Sequence, residues 1–127
     1  QSRHSHVADA AVAAAARARS TAGSHTPSLV MWIGWLEFDL LLGDVHSLKQ
    51  KRSVVRPIVA ELQRRFAVSA AETGSQDLHR RAGIGLAAVA GDHGHLVEVL
   101  DAAERLVAAR PEIELLSARR GLVHSDD

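Results

Sequence analysis

Across Gly43-Asp44 the hydrophobic period switches from about 2 to about 3.6 residues, and that switch limits the fold more than any other feature of the chain. Met31 to Leu42, MWIGWLEFDLLL, places Leu36, Phe38 and Leu40 on one face and Trp35, Glu37 and Asp39 on the other, which is strand period. His46 to Phe66, HSLKQKRSVVRPIVAELQRRF, instead repeats Leu48, Val55, Ile58, Val59, Leu62 and Phe66 at helical spacing. Ser47 is placed to cap that helix at Leu48. Pro57 has no N–H to give the helical ladder, so the pattern predicts a kink, or a separate first segment Leu48 to Arg52 with Ser53 as a second cap.

The same alternation continues downstream. Ala67 to Glu72 reads as a short strand, Thr73 to Asp77 as a loop, and His79 to Ala90 as a third strand with Ala82, Ile84, Leu86 and Ala88 on its apolar face. Asp92 caps a second helix whose stripe is Leu96, Val99, Leu100, Ala103, Leu106 and Val107, and Pro111 ends it. Ile113 to Arg120 supplies the last strand, leaving Gly121 to Asp127 as a polar tail. The order β-α-β-β-α-β predicts a ferredoxin-like α+β fold, two helices on one face of a four-stranded antiparallel sheet. Right-handed crossovers make the first and third strands central.

A chain of 127 residues that is 46% hydrophobic suits one core. Its apolar runs fall short of the roughly 18 residues that a membrane-spanning helix needs, so no membrane partner is expected. Cysteine is absent, which removes disulfides, thiolate metal sites and a cysteine nucleophile, and fits a reducing cytoplasm. Residues 1–30 are alanine-rich, with Arg17 and Arg19 after the alanine run rather than before it, unlike a secretory signal. They are expected to form a disordered or weakly helical extension ahead of a domain over 31–120, with Met31 as a candidate initiator.

Several motifs in this domain, Leu36-Glu37, HSLKQKRSVV, FAVSAAE and QDLHRRAGIGLA, stand in the order found in the YlxP-like family, which this segment resembles from Met31 to about Arg120. The family comprises small bacterial proteins of unassigned function. The resemblance implies a ferredoxin-like fold, a cytoplasmic location, and genes that commonly sit among those for translation initiation and ribosome maturation. His79 departs from the pattern, since many relatives carry an aromatic there.

The formal net charge is +0, yet the first helix carries Lys49, Lys51, Arg52, Arg56, Arg64 and Arg65 against Glu61 alone. Cations on one surface neutralise phosphates and release counterions, and with the ribosomal gene company that the resemblance implies these six residues are the expected contacts to ribosomal RNA or a ribosomal subunit. A solvated face with lysine stems over apolar neighbours is the alternative. Arg80 and Arg81 are candidates to extend the patch from the start of the third strand.

The open sheet face offers Trp35 opposite Gly83 and Gly85, which is no paired stacking platform for RNA bases. It suggests an indole lying over the glycines or a homodimer through the sheet near Trp35. For catalysis the residues offer little. Glu37 and Asp39 alternate onto one face toward solvent, and no catalytic residue or cofactor is expected. The run Asp92-His93-Gly94-His95 holds potential metal ligands but fixes no third one, so no metal is expected. The glycines precede no GK[ST], and Ser69 and Ser75 lack a nucleophile signature.

Overall fold

The computed structural model describes residues 30–74 and 78–127. The extension expected over 1–30 lies almost wholly outside the described residues, as does most of the loop after Gly74. The elements are β1 (Trp32–Leu42), α1 (Leu48–Arg65), β2 (Val68–Thr73), β3 (Arg81–Ala90), α2 (His93–Ala108) and β4 (Ile113–His124). They form one antiparallel sheet in the order β2-β3-β1-β4, with both helices packed on one face, the ferredoxin-like arrangement.

Register sorts the side chains as the alternation requires. Leu36, Phe38, Leu40 and Leu42 of β1 join Ala82, Ile84, Leu86 and Ala88 of β3 beneath Val55, Ile58 and Leu62 of α1 and Leu96, Leu100, Ala103 and Val107 of α2, all buried. Gly34 permits the close approach of α2: a Cβ there would stand 2.9 Å from Leu100 Cδ1. Between Asp39 and Leu40 the pairing with β4 slips by one residue, so Leu116 bulges out, 42% exposed, while Leu115 packs against the core.

Four local expectations need correction. α1 is continuous for 18 residues with Pro57 inside it, so the separate first segment does not form, and Ser53 caps nothing, since its hydroxyl donates to the Gln50 carbonyl at 2.6 Å. Start and cap are tied from both sides: Ser47 Oγ accepts from Gln50 N–H, and Gln50 Oε1 accepts from the N–H of His46, one residue before the cap, a variant of the capping box. Leu48 leaves the buried stripe at 39% exposed, and Lys51 enters it. Finally, β4 runs on to His124 because Gly121 to His124 pair with Trp32 to Trp35. The expected tail is therefore mostly strand, and the buried Ser125 fastens it by accepting from Met31 N–H.

Arg120, on the core face of β4, reaches α2 and donates to Asp101 at 2.9 Å and Glu104 at 3.0 Å. Burial alone lowers its pKa, but the hydrogen bonds to Glu104 and Asp101 and their negative charge outweigh that, so the guanidinium is held above its ordinary value. Trp32 closes the opposite end of β1, its ring 4.7 Å from that of His93 and 4.5 Å from that of His124.

Candidate nucleic-acid interface

α1 turns one ridge away from the core. Lys49, Arg52, Arg56 and Arg64 are exposed along it, about 22 Å from end to end at a rise of about 1.5 Å per residue. Among the described residues no carboxylate stands within ion-pair distance of Lys49, Arg52 or Arg56. Elsewhere most arginines are matched: Arg81 to Asp39, Arg119 to Glu37, Arg120 to Asp101 and Glu104, and Arg110 to Glu61 and Glu112. Among the described residues three of the cations without a carboxylate partner therefore gather on the first half of α1, with Arg80 and Arg105 lying elsewhere. Lys49 stands there against the local field, because the first turn of a helix favours acids and this one holds none.

Lys51 is not on that ridge. It is 2% exposed, its Nζ donates to the Leu78 carbonyl at 2.9 Å, and it lies 3.4 Å from Glu72 Oε2. Glu72 stands on the core face of β2, two residues beyond the buried Ala70, so lysine and glutamate meet beneath the helix. Lys51 thus ties α1 to the segment that leads into β3 and offers nothing to a phosphate. The signal was present in the spacing: Lys51, Val55, Ile58 and Leu62 share one helix face.

Arg64 and Arg65 close the ridge, 74% and 59% exposed, and both lean on Glu61 Oε2 at 3.7 and 3.6 Å. Arg80 and Arg81 do not extend it there. They sit at the Thr73 end of β2, whereas Arg65 precedes its Val68 end, about 20 Å away along the strand. Arg80 Nε donates to the Leu42 and Gly43 carbonyls, and Arg81 pairs with Asp39 on the open sheet face.

That open face is already occupied by its own side chains. The indole of Trp35 lies over Gly121 of β4, where a Cβ would stand 2.5 Å from Nε1, and not over Gly83 or Gly85 as its position had suggested. Arg119 stands over the indole, 5.9 Å from the ring centroid, and binds Glu37 at 2.7 Å. Gly83 and Gly85 answer to Thr73: a Cβ at Gly83 would collide with the Thr73 carbonyl, and one at Gly85 would stand 3.2 Å from the Thr73 methyl. Glu37 and Asp39 face solvent as their alternation requires, and each is paired there with an arginine.

Asp92 caps α2 by accepting from His95 N–H at 2.8 Å, and among the described residues no three potential ligands gather as a metal site. No helix among them is long and apolar enough to cross a membrane. Arg105 and Arg110, which the sequence pattern did not single out, line a groove with the end of α1. The only hint was that a basic residue falls in the last turn of each helix.

Comparison with known proteins places this architecture. Residues 33–120 match the family described as "Protein of unknown function (DUF503)". The chain is 35% identical over 82 residues to the uncharacterized protein YlxP of Bacillus subtilis (strain 168), covering 65% of this chain and 89% of that one. Among solved structures it is similar to a variant of SnoaB, a cofactor-independent oxygenase from Streptomyces nogalater. There the TM-score is 0.41 and the identity 14%, over 72% of this chain and 90% of that chain, a likeness too distant to bear on chemistry.

Proposed function

The chain belongs to the DUF503 family, whose description assigns no activity, and from that premise we propose that it is a non-enzymatic cytoplasmic protein that binds ribosomal RNA, or a ribosome-maturation or translation complex, through the outer ridge of α1. One observation carries the proposal. Lys49, Arg52 and Arg56 are exposed on the first half of α1 with no carboxylate in ion-pair distance among the described residues, and Lys49 stands in the first turn, where a cation costs roughly 0.3–1 kcal/mol by opposing the helix dipole. A polyanion repays that cost, because phosphate contact releases counterions. Arg64 and Arg65 add charge at the far end, damped by Glu61. Lys51 has no part in this surface.

Filter binding of structured RNA across a salt series tests the proposal. The apparent affinity should fall steeply as salt rises, and affinity independent of salt rules the ridge out. Replacing Lys49, Arg52 and Arg56 together with alanine should weaken binding at least tenfold and flatten the salt dependence by about 2–3 units of slope.

A second reading, a homodimer or regulatory module acting through the open sheet face, draws on Val89, 53% exposed there, and on Leu116 at the β4 bulge toward the other end of β1. The alternation of Glu37 and Asp39 with Arg81 and Arg119 would let a second copy exchange the same ion pairs. Sedimentation of wild type against Trp35→Glu separates the two: a salt-insensitive dimer lost in the variant favours the sheet face.

A further inference from the structure

Beside the ridge, the last turn of α1 and the last turns of α2 flank an open groove of about 560 Å³. This is within the roughly 300–1,000 Å³ of clefts that hold small ligands. Its apolar lining comes from Phe66, Leu106 and Pro111, and its charged lining from Arg65, Arg105 and Arg110. Glu61 is drawn on from several sides at once: its Oε2 lies near Arg64 and Arg65, and its Oε1 lies 3.4 Å from Arg110. Glu112, 4.0 Å from Arg110, is the other nearby carboxylate in ion-pair contact, and among the described residues Arg105 has none. Cations therefore outnumber acids around the groove. Arg110 also holds a buried Nε–H with no hydrogen-bond partner among the described residues, a group that is costly to leave unsatisfied.

We propose that this groove receives one unpaired nucleotide of the RNA bound by the ridge, its base against Phe66 and its phosphate among Arg65, Arg105 and Arg110. The inference rests on the RNA proposal above and adds the class of RNA: a hairpin loop, bulge or end, not an uninterrupted duplex. The chemistry fits at each point. Unpaired bases are recognised by stacking on aromatic rings and guanidinium planes, and arginine forks bind phosphate oxygens in pairs. The groove is continuous with the ridge, since Arg65 lines the one and follows Arg64, the last cation of the other. An acidic peptide would meet the same charges, but it would not need the ridge.

The test measures fluorescence anisotropy of the full chain with two labelled RNAs, a hairpin with an unpaired adenosine loop and a blunt duplex of the same stem. Wild type should bind the hairpin about tenfold more tightly, the scale of one stacked base. Arg65→Gln with Arg105→Gln, both at exposed positions, should bring the two affinities within about twofold while leaving the thermal midpoint unchanged. Phe66→Leu should do likewise, but Phe66 also packs on the core, so the double arginine variant decides if that protein fails to fold. Equal affinity of wild type for hairpin and duplex overturns the groove and leaves the ridge standing. Binding of neither RNA overturns both. A labelled oligoaspartate peptide that binds, is lost in the arginine variant and is indifferent to Lys49, Arg52 and Arg56 would make the groove a protein-docking site and refute the nucleotide.

Discussion

Replacing Lys51 with alanine separates a buried tie from a surface contact. The substitution removes the ammonium that donates to the Leu78 carbonyl, a charge-assisted bond whose loss costs roughly 1.5–3 kcal/mol. It also deletes three buried methylenes, at about 0.8 kcal/mol each. Against these losses stands the relief of no longer burying a charge, several kcal/mol in such sites. Glu72 is 25% exposed, so its carboxylate regains water once unpaired. The net expectation is about 2–4 kcal/mol, near the lower end of what breaking a buried pair costs. At roughly 4–8 °C per kcal/mol for a domain of this size, the midpoint should fall by about 8–30 °C. Lys51→Met keeps most of the stem and should lose about half as much. Thermal and urea unfolding followed by circular dichroism give the stabilities, and RNA binding is compared at a temperature where every variant is folded. If Lys51→Ala unfolds within about 0.5 kcal/mol of wild type yet binds RNA as weakly as Arg52→Ala, the tie is refuted.

Three further outcomes follow from packing and capping. Gly121→Ala forces a methyl into the indole of Trp35 and should cost about 1–3 kcal/mol, with a change in tryptophan emission because the ring must leave its seat. Gly83→Ala should be worse than Gly85→Ala, since the first meets a backbone carbonyl that cannot turn aside and the second a threonine methyl. Urea midpoints in the reverse order would contradict the packing of β2 over β3. Asp92→Ala removes the cap on α2 and should cost about 1 kcal/mol by thermal unfolding, whereas Asp92→Asn should cost little.

Both helices, the four strands and their order were legible in the sequence because burial forces a period, and the period survives without knowledge of the partners. Ser47 and Asp92 could be read as caps for the same local reason. What escaped depends on long-range pairing. Lys51 sits at a core spacing, but its charge placed it with the basic ridge, and only the meeting with Glu72 beneath α1 reverses that. Gly121 to His124 looked like a tail because a glycine opens the stretch and the polar Ser125-Asp126-Asp127 closes it, yet pairing with the start of β1 makes them strand. Arg80 and Arg81 appeared to join the end of α1. An antiparallel hairpin instead begins β3 where β2 finishes, so the length of β2 separates them. Of the six cations expected at the RNA surface, five are exposed and one is core. The groove beside them could not be read from either helix alone.

The central claim is an electrostatic contact through the outer ridge of α1, and cosedimentation with cell-derived ribosomal subunits tests it most directly. Wild type should travel with a subunit at about 50 mM salt and be released by about 200 mM, while the Lys49, Arg52, Arg56 triple alanine variant, folded and equally stable, should stay in the supernatant at both. Equal pelleting of the triple variant and wild type, or pelleting that salt does not reduce, would contradict the account.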